Sequence, residues 1–426
     1  MHRTGEGTFL LATTGREGGI ASFRLGSEGG FSLQSESFFG GNVANAVGQK
    51  LSLVAHNGAW LALFGANASQ LVGFWLGADG SVGPVRRVNW DDAGAAIRDG
   101  NSGFLTAWAL LSQSPPETMP EGPWHARTVA LAPLSGSVSG MVVAGQMEPG
   151  VALLAPVEGG GGLGVRATLG AAQGIGISAP SALEVVEAHG ATWVVLAAAG
   201  SSSLSVMRVR ADGTLVPTDH VVDTLATRFG GVTAMASAVA GDHALVVAGG
   251  ADDGLSLFSL LPDGRLLWRD TIPHEAGRGL ANVSALVATV SGDTLHVMAG
   301  SQRDPGIAHL TVSLAGLGRH VAGVAGRASL VTGTPGQDIL TAAADGDTLS
   351  GGEGDDILVA GPGRTVMRGG PGADIFVMRA GSGETRILDF ERGRDRLDLS
   401  DWLLLRGVGQ LAITPSADGA VIAYRD

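Results

Sequence analysis

From Gly333 the chain repeats every nine residues: GTPGQDILT (333–341), AAADGDTLS (342–350), GGEGDDILV (351–359), AGPGRTVMR (360–368) and GGPGADIFV (369–377). The third and fifth copies fit G-G-x-G-x-D-x-U-x at every position, where U is apolar. The first has Thr334 in place of one glycine. The second has Ala342 and Ala343 at the glycine pair and Asp345 at the fourth position, yet keeps Asp347 at the sixth. The fourth keeps most of its glycines but carries Thr365 where the aspartate belongs. Five units in unbroken register do not arise by chance, and nothing else in the 426 residues restricts the fold as tightly.

This run resembles the RTX, or haemolysin-type, calcium-binding repeat family. The resemblance implies a parallel β-roll in which each nonapeptide gives a Gly-rich turn and a short strand, so that positions 18 apart stack. Calcium is a hard cation that takes six to eight oxygens. Glycines let the turns fold tightly enough to present backbone carbonyls to it, and the sixth-position aspartates add carboxylate oxygens. Leu340, Leu349, Leu358, Met367 and Phe376 face inward as a thin core. Stacking puts Asp338, Asp356 and Asp374 on one edge and Asp347 with Thr365 on the other. The metal-site residues expected are therefore Asp338, Asp356, Asp374 and Asp347, with the turn glycines Gly333, Gly351 and Gly369. Two sites are expected on the first edge and at most one on the second, so loss of Asp356 costs more calcium than loss of Asp347. Residues 331–377 hold seven acidic and two basic residues, a balance of −5. Without metal, self-repulsion and the thin core predict disorder. With metal, binding free energy becomes folding free energy.

A second period, near 50, runs through the first three-quarters. IASFRLGSEG (20–29), LVGFWLGADG (71–80), VALLAPVEGG (151–160), LSVMRVRADG (204–213), LSLFSLLPDG (255–264) and IAHLTVSLAG (307–316) each open on an aliphatic residue and reach glycine nine positions later. Short apolar runs closed by Asp-Gly turns at this period predict the blades of a β-propeller. In one unit, Val232–Val239, His243–Gly249, Leu255–Leu261 and Arg265–Ile272 read as four strands from the axis outward. Between Gly80 and Gly160 the spacing is 80, which is either an inserted loop around 112–127 or a seventh blade near 100–140; six blades are favoured. Residues 8–39 lack an evident innermost strand, and a strand from 321–332 is expected to supply it and close the ring.

Zero cysteine excludes disulfides, cysteine-ligated zinc and thiol catalysis. The net charge of −13 argues against nucleic acid as a partner. The single lysine, Lys50, is not in a Walker loop. His274-Glu275 begins an H-E-x-x-H motif that fails at Arg278, no G-x-S-x-G elbow is present, and GGGGLG (159–164) is read as a blade turn. His125 is read as a loop residue, and His189, His220, His243 and His296 as structural. Asp345, Glu353 and Asp355 are read as solvated charge; Asp389, Asp395 and Asp398 either complete a terminal calcium site or are surface charges on a cap, the second being favoured.

The expected organisation is an all-β chain: a propeller over 1–326, a calcium-binding β-roll over 327–380, and a cap with export region over 381–426. The run ILDFERGRDRLDLSDW (387–402) resembles the segment that follows the repeats in RTX proteins, which implies type I secretion from a Gram-negative bacterium and an extracellular protein. This fits a start, MHRTGEGTFLLATTG, without a secretory h-region, and a chain without an 18-residue apolar stretch. The chain is read as a monomeric calcium-binding protein with Ca²⁺ as its cofactor. Its partners are the secretion machinery and, through the propeller, an extracellular protein or glycan. The alternative is a lactonase-like propeller hydrolase carrying an RTX module.

Overall fold

The computed structural model describes all residues except 15–18, 27–29, 39–51, 57–58, 68–69, 90–127, 136–138, 146–149, 157–162, 403–404, 406, 417–418 and 425–426. The readings of 112–127, of His125 and of an extra blade near 100–140 lie within these segments or largely so. The described chain forms two compact units, Met1–Val239 with Ala244–Ser313, and Ala240–His243 with Leu314–Asp426.

The first unit is a series of antiparallel sheets in chain order. Its fourth sheet joins Pro180–Ala188, Ala191–Ala198, Ser203–Val209 and Leu215–Val222. The fifth joins Val232–Ala240, His243–Gly250, Gly254–Leu260 and Leu266–Pro273. Six such sheets occur among the described residues, five of four strands and the sixth of three, Val283–Ser291, Thr294–Ser301 and Ile307–Ser313. This is the blade pattern of a propeller. Burial follows position in the blade. His243–Gly250 is buried along its whole length, as a strand covered on both faces must be. The outer strand Leu215–Val222 alternates instead.

Two positions show why the period ends on glycine. Gly80 and Gly264 have φ of +79° and +87°, which glycine adopts without steric cost. A Cβ on Gly80 would stand 2.2 Å from the Phe9 ring, and one on Gly264 2.2 Å from the Trp193 ring. Each turn is thus seated on an aromatic of the preceding blade. Trp193, Val195, Phe229 and Phe258 continue that contact as a shared core between the fourth and fifth sheets. First strands are also tied across blades: Ser181 Oγ donates to Val232 O at 2.6 Å, and Thr233 Oγ1 donates to Val283 O.

The ring closes differently from the sequence expectation. The first sheet already has its own short first strand, His2–Thr4, paired with Gly7–Thr14. Phe31 of that sheet stands edge-on to His309 of the sixth, centroids 5.2 Å apart. The segment 321–332 does not join the ring. Leu317–Ala322 pairs in parallel with Gln337–Thr341, and Leu330–Thr332 with Asp347–Ser350. Its apolar residues are drawn into the second unit because they fit that unit's register.

The second unit is a parallel β-solenoid of two sheets. Leu340 pairs with Leu358 and Leu358 with Phe376, while Val331 pairs with Leu349 and Leu349 with Met367, each at the expected spacing of 18. These side chains form its core, fully or almost fully buried. The coil extends past the five obvious copies at both ends. Val321 lies on Leu340 at a spacing of 19, Met367 on Ile387 at 20, and Phe376 on Leu397 at 21. Those spacings mark further units at 314–322, 324–332, 380–388 and 390–398, separated from the regular run by slips at 323, 378–379 and 389. A hairpin, Leu411–Ser416 with Gly419–Tyr424, follows, and Tyr424 stacks on Trp402. Among the described residues no helix is long and apolar enough to cross a membrane.

Candidate metal centre

Of the sixth-position aspartates, Asp347 opens a strand, Asp356 and Asp374 immediately precede one, and Asp338 is the second residue of Gln337–Thr341. Asp338, Asp347, Asp356 and Asp374 are all fully buried there. On the first edge they form a ladder along the solenoid axis. Arg319 N donates to Asp338 Oδ1 (2.5 Å), Asp338 N to Asp356 Oδ1 (2.8 Å), Asp356 N to Asp374 Oδ1 (2.9 Å), and Asp374 N to Asp395 Oδ1 (3.0 Å). One oxygen of each carboxylate therefore fixes the neighbouring turn.

The second oxygen separates the aspartates. Asp338 Oδ2 accepts from Thr334 N and Oγ1. Asp356 Oδ2 and Asp374 Oδ2 are buried with no hydrogen-bond partner. A Cβ on Gly351 would lie 2.0 Å from Asp356 Oδ2, and one on Gly369 2.1 Å from Asp374 Oδ2. Only glycine leaves room for those oxygens. Burial, with Asp374, Asp338 and Asp355 close by, pushes the Asp356 carboxyl up to about 7 against the hydrogen bond from Asp338 N. Burial, with Asp395, Asp389 and Asp355, pushes Asp374 up to about 6 against the bond from Asp356 N. An ionised carboxylate in these places lacks a cation.

The second edge is saturated by the protein itself. Asp347 Oδ1 accepts from Ser329 N (2.7 Å) and Ser329 Oγ (2.8 Å), and Oδ2 from Ala343 N (2.7 Å) and Ala344 N (2.8 Å). Burial opposes ionisation, but these bonds prevail and hold its carboxyl below the ordinary value. The remaining sixth positions on this edge are Ser329, Thr365 and Thr385, which carry no charge. Asp345 is not merely solvated: it accepts from Arg364 N and pairs with its guanidinium across the turn. Asp355 likewise accepts from Ala373 N at 2.7 Å.

The donor set fits a hard cation on the first edge, where it combines carboxylate oxygens without partners and glycine turns. Among the described residues no three His, Cys, Asp or Glu side chains converge as a ready-made cluster. A cation there would take the rest of its shell from oxygens such as turn carbonyls, and Gly333, Gly351 and Gly369 belong to the turns concerned.

Several of the described histidines make contacts within the first unit. His220 Nδ1 meets Ser205 Oγ, His296 stacks on His309, and His274 lies 3.6 Å from Asp304. On the blades' first strands Ser237 Oγ donates to Glu184 Oε2 at 3.1 Å. For Asp389 and Asp395 the sequence favours surface charge over a terminal calcium site. Asp389 accepts from Gly369 N and Gly370 N, both at 3.0 Å, and so is no bystander on the surface. The signal was present as Gly393-x-Asp395-x-Leu397, the second half of the nonapeptide pattern, with Phe390 and Glu391 over the glycine pair.

The family model of the RTX calcium-binding nonapeptide repeat (4 copies) matches residues 332–367. No curated protein matches the chain. Among solved structures, a putative 6-phosphogluconolactonase from Bacteroides uniformis is 11% identical, with a TM-score of 0.34 over 72% of this chain and 82% of that chain. The periplasmic gluconolactonase of Pseudomonas aeruginosa is 15% identical, with a TM-score of 0.34 and the same coverage. The Dos1 propeller is 10% identical, with a TM-score of 0.42 over 72% of this chain and 75% of that chain. Superpositions this loose carry nothing about activity. The repeat segment is an RTX nonapeptide solenoid.

Proposed function

We propose that the chain is an exported calcium-binding protein whose solenoid closes when Ca²⁺ occupies its first edge, and whose propeller serves as a recognition platform for an extracellular protein or glycan. The observation that carries the calcium reading is the pair of buried, partnerless oxygens, Asp356 Oδ2 and Asp374 Oδ2, beside Gly351 and Gly369. Calcium supplies the positive charge that lets both carboxylates ionise in place. The protein's part is to hold one oxygen of each on the next turn's amide, to keep the other bare, and to exclude side chains at the glycines. Export of the kind the repeats imply suits a module with Kd of about 10⁻⁴–10⁻³ M, open at cytosolic calcium and closed outside. Calcium at ten times Kd contributes about 1.4 kcal/mol per site.

The reading is tested by calorimetric calcium titration of the full chain, the Asp356→Asn chain and the Asp347→Asn chain. The expected result is a loss of bound calcium in the first variant and near-normal binding in the second. Equal losses, or no binding by the unaltered chain, would sink the one-edged reading.

A further inference from the structure

Among the described residues the sixth sheet has three strands where the other five blades have four. Ile307–Ser313 holds the place of a third strand, and its first residue shows the difference. The counterparts Ile20, Val151, Leu204 and Leu255 are at most 4% exposed, whereas Ile307 is 44% exposed. The fourth strands of the other blades are built as outer edges. Each carries a charge or a proline (Glu36, Pro84, Arg166, Asp219 and Asp270), and each meets its third strand through a register shift. Charge, proline and bulges keep an edge from pairing further. Ile307–Ser313, IAHLTVS, holds no Asp, Glu, Lys, Arg or Pro and pairs with Thr294–Ser301 without a shift. It has the make-up of a strand meant to be covered.

The next stretch of chain starts where that cover would start. In the fourth and fifth sheets the fourth strand begins two residues after the turn glycine, at Leu215 after Gly213 and at Leu266 after Gly264. Gly316 has the same left-handed conformation, φ +77° against +79° and +87°, and Leu317–Ala322 follows it directly. That strand pairs instead with Gln337–Thr341 of the solenoid, and two contacts made by the other turns are missing. A Cβ on Gly80, Gly213 or Gly264 would stand 2.2, 3.0 or 2.2 Å from Phe9, Arg166 or Trp193 of the preceding blade, but one on Gly316 meets nothing within 4 Å. The N–H two residues past the turn glycine reaches the fifth residue of the preceding blade's fourth strand: Val82 N donates to Ser35 Oγ (3.0 Å) and Leu266 N to Asp219 Oδ2 (2.7 Å). The corresponding pair is Gly318 N and Asp270. Asp270 Oδ1 accepts from Thr271 N (2.7 Å) as Asp219 Oδ1 accepts from His220 N (2.8 Å), but Asp270 Oδ2 accepts from no described residue.

We propose that Leu317–Ala322 is a strand with two places: with calcium it opens the solenoid, and without calcium it pairs antiparallel with Ile307–Ser313 as the fourth strand of the sixth blade, Gly318 N donating to Asp270 Oδ2. The proposal rests on the calcium reading of the first edge. In the solenoid, Val321 is held on Leu340, and Gly318 stands where a Cβ would lie 2.2 Å from Asp338 Oδ1. Both contacts need the repeats to be ordered. Calcium binds only the ordered repeats, so it shifts the strand toward them and uncovers the edge Ile307–Ser313. The state of the solenoid is thereby passed to the last blade of the propeller.

The test is hydrogen exchange of the full chain at pH 7.5, in EDTA and in millimolar CaCl₂, for the unaltered chain and Asp270→Ala. Amides of 307–313 are expected to exchange more slowly in EDTA than in calcium, on the order of tenfold, while those of 337–377 change in the opposite direction. Asp270→Ala is expected to lose most of the gain at 307–313 in EDTA and to match the unaltered chain there in calcium. Exchange at 307–313 that is equal or faster in EDTA, while 337–377 responds to calcium, overturns the two-place strand alone. So does a gain in EDTA that survives in Asp270→Ala, or one that grows with protein concentration, which would put a second copy of the chain on the edge. No response of 337–377 to calcium overturns the calcium reading and the strand exchange with it, a different outcome from these.

Discussion

Replacing Asp356 by asparagine is predicted to have opposite effects with and without calcium. The carboxyl is fully buried and shifted from 3.8 to about 7. At 1.36 kcal/mol per unit, ionising it in place above pH 7 costs about 4 kcal/mol. An amide of the same shape keeps the acceptor for Asp338 N and removes the charge, at the cost of a poorer fit beside Gly351, so the net gain is about 1–3 kcal/mol. The sign with pH follows from linkage. A group whose folded value is raised contributes stability that is full below 3.8 and is lost as pH rises toward about 7. Metal-free, the unaltered solenoid is then best protected near pH 4 and weakens toward neutrality. Asp356→Asn leaves that lower end unchanged and flattens the loss. With calcium the order reverses, because the variant has lost a carboxylate ligand. Hydrogen exchange of peptides within 337–377, in EDTA and in millimolar calcium at pH 4.5 and 7.5, reads all four states. A variant less protected than the unaltered chain in EDTA at pH 7.5 would refute the reasoning.

Three further predictions follow from the same contacts. Asp347→Asn should destabilise the solenoid by about 1–3 kcal/mol whether or not calcium is present, since it weakens bonds from Ser329, Ala343 and Ala344; denaturant titration with exchange readout checks it. Calcium binding should release protons, most of them between pH 5 and 7 where Asp374 and Asp356 are still partly protonated; calorimetry in buffers of different ionisation enthalpy measures the number. Gly264→Ala should lower the propeller's thermal midpoint by several degrees, because it forces a side chain at φ +87° onto Trp193 and Thr218; an unchanged midpoint contradicts the blade contact.

The parts of the fold legible in the sequence are those where glycine is required by geometry. The 18-residue stacking of Leu340, Leu358 and Phe376 follows from turns in which Gly351 and Gly369 leave no room for a Cβ, and the blade turns at Gly80 and Gly264 pair positive φ with a close aromatic. The ends of the solenoid were not legible for the opposite reason. At 390–398 the glycine pair is Phe390 and Glu391, and at 324–332 the sixth position is Ser329, so the pattern survives only in pairing register. The sequence places the segment 321–332 in the propeller because residues 8–39 lack an evident innermost strand. What decides its place is the parallel register with Gln337–Thr341 and Asp347–Ser350, which depends on chain far from it in character. The difference between Asp347 and Asp356 was read from neighbouring residue types. Its full cause, four donors on one carboxylate and a bare oxygen on the other, needed coordinates.

The most direct test of the central claim is hydrogen exchange of the full chain at pH 7.5 as calcium is raised from zero to a few millimolar. The account predicts that protection in 337–398 is low without calcium and rises cooperatively with it, while the blade strands 180–273 exchange the same throughout. Full protection of 337–398 in EDTA, unaltered by calcium, would contradict it.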